Sequence, residues 1–114
     1  METPINFGVS PSNLIMDAQS ALDTARIIPR EVVSHVREHA IYVVFSAGAS
    51  AGQVVVESAH DAAYQGTWAN VNTVNWAAAS RVHLAANTGV HLVLRVRIAT
   101  AIVGGTVSCY GIGN

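Results

Sequence analysis

Five histidines, seven carboxylates, six arginines and one cysteine are the groups with which this 114-residue chain could do chemistry. Their spacing argues against most of it. His35 and His39 lie four apart, which on a helix would set both on one face and let them hold a metal. The surrounding residues read as strand and turn instead, and no acidic or cysteine partner stands at ligand spacing, so no metal site is expected. His60 beside Asp61 has the form of a base with its orienting carboxylate. No serine in a strand-to-helix elbow accompanies the pair, and Ser58 and Ser108 fall in ordinary strands. A histidine followed by an aspartate in a loop reads more simply as a turn. Glu57 and Asp61 could be posed as the two carboxylates of a glycosidase, but one such pair among seven acids carries no signal. Gly104-Gly105 leads into a strand, whereas a phosphate cradle leads into a helix and usually adds a lysine, which this chain lacks. The expectation is a non-enzymatic protein with no catalytic residue, cofactor or metal.

The remaining polar and aromatic groups suit a scaffold. Cys109 has no second cysteine to pair with and sits in an apolar strand, as a small buried residue does. Arg95 and Arg97 share one strand face, where arginines make cross-strand ion pairs. They are the only close basic pair, and a net charge of −1 with no basic stripe argues against direct nucleic-acid binding. Arginine in every basic position fits ordered ion pairs and interfaces, or simply base composition. Tyr64, Trp68 and Trp76 cluster in one segment and admit two readings: plugs of a core or subunit interface, or a platform on which a sugar stacks.

These groups must be positioned by strands. Leu92, Leu94, Val96 and Ile98 alternate with His91, Val93, Arg95 and Arg97, the period of a strand with one buried face. Thr100 to Gly105 reads as a turn and Thr106 to Tyr110 as a returning strand, so the segment from Gly89 to Ile112 is expected to close the chain as a hairpin. Upstream, Val32, Val33 and Val36 form one β-prone run, Ala40 to Phe45 a denser one and Gln53 to Ser58 a third. Thr67 to Trp76 and Arg81 to Leu84 follow. Small polar turns separate them at Ser46 to Gly52, His60 to Gly66 and Asn87 to Gly89. Strands recurring at this spacing predict an all-β chain, an antiparallel β-sandwich or jelly roll, over residues 29–114. Residues 1–28 carry Pro4 and Pro11, which favour an extended N-terminal arm over the alternative of a short helix from Asp17 to Arg26.

Composition points to assembly. The chain is 51% hydrophobic and only 11% charged, against about 25% charged in soluble domains generally. Little net repulsion keeps copies apart, so a component of an assembly is expected rather than a free monomer. No segment reaches the roughly 20 apolar residues needed to cross a membrane as a helix. Met-Glu-Thr-Pro lacks the basic start and apolar run of a secretion signal, so folding in a cytoplasm is expected.

Four stretches in order carry a family resemblance: Ser50-Ala51-Gly52-Gln53-Val54-Val55-Val56-Glu57-Ser58-Ala59, Tyr64-Gln65-Gly66-Thr67-Trp68, Leu94-Arg95-Val96-Arg97-Ile98 and Val103-Gly104-Gly105-Thr106-Val107-Ser108. Over roughly residues 40 to 112 the chain resembles small β-sandwich structural proteins of tailed bacteriophages, in particular capsid decoration (cement) proteins. Tail and baseplate proteins share similar stretches. The resemblance implies a homo-dimer or homo-trimer on the outer surface of the phage head. It would be made in the host cytoplasm and bridge neighbouring major capsid protein subunits against internal DNA pressure. An apolar leader or a sheet edge would then lie against the capsid, with Ile5, Phe7, Leu14, Ile15 and Met16 as candidate contact residues. A phage tail or baseplate module, or a carbohydrate-binding β-sandwich, is the alternative.

Overall fold

Eight strands and no helix make up residues 14–28, 38–88 and 92–113, the part of the chain that the computed structural model describes. They are β1 (Leu14–Gln19), β2 (Ala25–Ile28), β3 (Glu38–Phe45), β4 (Ala51–Ala59), β5 (Ala69–Asn75), β6 (Val82–Thr88), β7 (Val93–Val103) and β8 (Val107–Gly113). Two antiparallel four-stranded sheets result, a first in the order β1-β8-β3-β6 and a second in the order β2-β7-β4-β5. The chain is therefore an all-β sandwich.

Period-two patterning fills the space between the sheets. Ile41, Val43 and Phe45 point inward from β3, Val107 and Cys109 from β8, Val54 and Val56 from β4, and Leu94, Val96 and Ile98 from β7, all of them fully buried. Each such aliphatic side chain contributes about 1.5–3 kcal/mol by leaving water. Ile15, Met16 and Ile28 complete the same cluster.

That last observation corrects the expected arm. Residues 14–28 belong to the sandwich: β1 pairs with β8 on the first sheet and β2 with β7 on the second. The register of β1 slips twice, on either side of Met16, so that neighbouring Ile15 and Met16 both turn inward and the alternation is lost. A four-residue β2 is too short to show a period at all. Residues 1–13, with Pro4 and Pro11, lie outside the described residues, as does the run at Val32, Val33 and Val36.

The closing hairpin is also corrected. β7 pairs with β2 and β4, whereas β8 pairs with β1 and β3, so the two strands lie in different sheets. Gly104-Gly105 is a corner between the sheets. It packs on the corner that leads from β3 to β4: a Cβ on Gly104 would lie 2.6 Å from the Gly48 carbonyl oxygen, and Gly104 has φ +79°. The Ser46 amide donates to the Thr106 carbonyl (2.8 Å) and the Ser50 amide to the Val103 carbonyl (2.8 Å), joining the two crossings. Glycine is needed here for a positive φ and for backbone contact, which is a different demand from that of a two-residue hairpin turn. Each strand instead pairs with its counterpart from the other end of the series, β1 with β8, β2 with β7, β3 with β6 and β4 with β5. Of the connections, only β4 to β5 stays within a sheet.

Candidate functional site

On the outer face of the second sheet, β4 presents Glu57 directly opposite Arg95 of β7, one outward position along from Arg97 opposite Val55. Arg95 Nε donates to Glu57 Oε1 at 2.8 Å. Arg97 Nε donates to the same oxygen at 3.0 Å, and its Nη2 donates to Oε2 at 3.1 Å. Arg97 Nη1 continues to Asp23 Oδ1 at 2.9 Å, in the turn between β1 and β2. The expected cross-strand pairing of the two arginines is thus present, with Glu57 as the hub.

Trp68 closes this cluster from above. Its ring lies 4.3 Å from the Arg95 guanidinium carbon, and its indole N–H donates to the Tyr64 carbonyl at 3.0 Å. Although nearly fully buried, Trp68 is no part of the cluster between the sheets; it holds the segment before β5 against the outer face. At 3% exposure no face of its ring is open to stack on a sugar. Trp76 is half-buried against the central core, and Tyr64 packs on His60 with ring centroids 4.9 Å apart.

Electrostatics follow from this geometry. Burial alone would push the Glu57 carboxyl up; hydrogen bonds from Arg97 and Arg95, backed by their charges, outweigh it and hold it below its ordinary value of 4.5. The same Glu57 bond raises Arg97 above its ordinary value. A cleft of about 540 Å³ borders the cluster, lined by Asp23, Gln65, Thr67 and Arg95 among others. Two cations and two anions balance there.

The other candidate groups are dispersed. Asp61 Oδ1 accepts from the Ala63 amide at 2.9 Å, an Asx turn, so Asp61 serves the loop rather than orienting His60. Glu57, bound to two arginines, is not poised with Asp61 as a glycosidase pair. Ser108 Oγ accepts from the Ala18 amide at 3.0 Å. Burial pushes the Cys109 thiol up to about 12, which suits the structural role expected of it. His83 points inward with its ring perpendicular to that of Phe45, centroids 5.6 Å apart, and its Nε2 is buried without a hydrogen-bond partner. His35 lies outside the described residues. Among the described residues no three His, Cys, Asp or Glu side chains gather as metal ligands.

The outer face of the first sheet is unlike the second. Leu14 stands opposite Tyr110, Tyr110 opposite Tyr42, and Tyr42 opposite Leu84, a single register row that crosses β1, β8, β3 and β6. Tyr110, Tyr42 and Leu84 are 41%, 43% and 55% exposed. The next row holds Ser108, Val44 and Val82, and beyond the tyrosines Ala40 faces Ala86. No charged residue stands in these positions of β8, β3 and β6; exposed Asp17, at the edge in β1, borders them. No family model, curated protein or solved structure matches the chain. The case for a site therefore rests on these two faces.

The candidate contact residues are relocated by the fold. Ile15 and Met16 are 0% and 1% exposed and fill the core, so their side chains offer no docking surface in this fold. Leu14 is half-buried and begins the apolar row. Ile5 and Phe7 lie outside the described residues. Sequence reading passed over Tyr42, Leu84 and Tyr110 as an association surface. The available signal was the run from Ala40 to Phe45, apolar at every position, which leaves β3 without a polar outer side.

Proposed function

We propose that this chain is a non-enzymatic structural protein of a tailed-bacteriophage virion, a capsid decoration protein on the outer surface of the head that stabilises contacts between major capsid protein subunits. The observation that carries the reading is the uncharged row Leu14, Tyr110, Tyr42 and Leu84 across the first sheet. An apolar sheet face of this kind belongs to a protein that works by contact. The winding supports reading the sandwich as a jelly roll, a fold common in viral shells: β1 pairs with β8, β2 with β7, β3 with β6 and β4 with β5. The resemblance of residues 40 to 112 to cement proteins supplies the virion context.

In this reading the sandwich is a rigid block and the apolar face its association surface. Burying that face contributes roughly 25 cal/mol per Å² of apolar area. Weak single contacts become durable when many copies engage a repeating lattice. The test is addition of purified protein to phage heads stripped of their decoration. Co-sedimentation with the heads and a higher temperature of DNA release are expected. Heads that neither bind the protein nor gain thermal resistance would remove the proposal.

A further inference from the structure

We infer that the cleft on the outer face of the second sheet binds a small hydroxylated carboxylate of the sugar-acid class, with Arg95 holding the carboxylate and Asp23, Gln65 and Thr67 the hydroxyls. Charges alternate along the cluster: Asp23 is bound to Arg97, Arg97 to Glu57, and Glu57 to Arg95. Each of these groups has a partner within the chain, yet the positive end of the series holds donors in reserve. Arg97 commits Nε, Nη1 and Nη2 to Glu57 and Asp23. Arg95 commits only Nε, and its Nη1 and Nη2 donate to no acceptor among the described residues. Those two nitrogens form the end of a planar fork that matches the two oxygens of a carboxylate. A phosphate dianion would bring its second charge against Glu57 and Asp23, so a singly charged acid is the better match.

The cleft is held in shape by the fold. Its volume of about 540 Å³ lies within the range of small-molecule sites. Arg95 is fixed between Glu57 and the Trp68 ring, which lies 4.3 Å from its guanidinium carbon. On one side, Asp23 is set by its amide, which donates to the Ile98 carbonyl at 2.8 Å. On the other, the Trp68 indole ties the loop to the Tyr64 carbonyl, and a Cβ on Gly66 would overlap the Tyr64 phenol folded against it. Gln65 Nε2 donates to the Ala63 carbonyl at 3.1 Å, which leaves its Oε1 as an acceptor. Thr67 is exposed, its hydroxyl without a partner among the described residues. Asp23 Oδ2, Gln65 Oε1 and the Thr67 hydroxyl therefore suit a ligand rich in hydroxyl donors. With Trp68 covered, recognition runs through hydrogen bonds and not through ring stacking. The decoration reading uses the opposite sheet, so in a copy seated on a capsid this cleft faces the medium.

NMR titration of the full chain with glucuronate tests the inference, with glucose and acetate as separate arms. The Trp68 indole N–H and Arg95 Nε–H signals are expected to shift saturably with a dissociation constant of about 1 mM, the level that a few exposed charge-assisted bonds reach. The Trp76 indole, packed against the central core, should stay in place. Glucose lacks the charge and acetate the hydroxyls, so each should bind about 10-fold more weakly. Arg95→Lys keeps the charge without the fork and should weaken glucuronate by about 10-fold. Thr67→Val leaves the ion cluster untouched and should weaken it by about 3-fold. Thermal melting is the folding control for both. A Trp68 signal that glucuronate does not move overturns the inference. So does glucose or acetate bound as tightly as glucuronate, or a titration that the folded variants leave unchanged. Binding to stripped heads is expected to be the same with and without glucuronate, which keeps this test apart from that of the decoration reading.

Discussion

On the outer face of the second sheet, Arg95 and Arg97 close over Glu57 and Asp23, with Trp68 laid on top. On the outer face of the first sheet, Tyr42, Tyr110 and Leu84 stand in a row without a charge among them. Both faces come from the same alternation, which sends every second side chain away from the core. They differ in where those side chains find partners. The second sheet satisfies its outward groups within the chain, through a neighbouring strand and a folded-over segment. The first sheet leaves its outward groups exposed, and the proposed function assigns them to another molecule. Substitutions on the second face should therefore act on folding, and substitutions on the first on association.

The sharpest test of that division is Glu57→Ala. It leaves two arginines, each about a quarter exposed, facing one another across an emptied position. Breaking a wholly buried pair costs about 3–5 kcal/mol, and the water that still reaches these arginines lowers the expected loss to about 2 kcal/mol. Urea unfolding should show it as a lower midpoint with an unchanged slope. Tyr42→Ala, on the opposite face, should cost well under half as much. Equal losses would break the comparison.

Acid should reproduce part of the Glu57 effect. Its folded-state pKa lies below the ordinary 4.5, so its ionised form stabilises the fold above that pH. That contribution is lost as pH falls below about 4.5 and through the folded value. The wild type should lose stability over this window, while Glu57→Gln, already weakened, should follow a shallower curve. Melting temperatures between pH 6 and pH 3 would compare the two directly. Arg97→Lys comes next, at about 1 kcal/mol: it keeps the charge but loses the fork that reaches Glu57 and Asp23 together.

Residues far apart in the chain explain what could and could not be read from sequence. Arg95 and Arg97 were legible as ion-pairing groups because they sit two apart in a clean alternation; their partner, on β4, is a matter of register. The β6 and β7 segments were legible for the same reason, and β3, β4, β5 and β8 as β-prone runs between turns, although β7 runs on to Val103 and β6 to Thr88 through residues that look like turns. Gly104-Gly105 marks a change of direction equally well in a hairpin and in a corner, so the sheet that receives β8 could not be told from it. Beyond the apolar run of β3, the row itself could not be seen: Tyr42, Leu84 and Tyr110 meet only through the pairing of β3 with β6 and β8.

The smallest expected effect on folding is the most informative about that row. Leu84 is 55% exposed, so Leu84→Thr removes apolar area that the folded chain hardly uses. Threonine is β-branched and favoured in strands, and the change in unfolding free energy should stay within about 0.5 kcal/mol. If the face is an association surface, the same substitution weakens binding to stripped phage heads because the lost apolar carbons were buried only there. A variant unchanged in urea yet weaker in co-sedimentation with stripped heads would place the function of this leucine between molecules. A variant that loses stability while its association is untouched would instead assign Leu84 to the fold, and the contrast between the two faces would shrink to a difference in polarity.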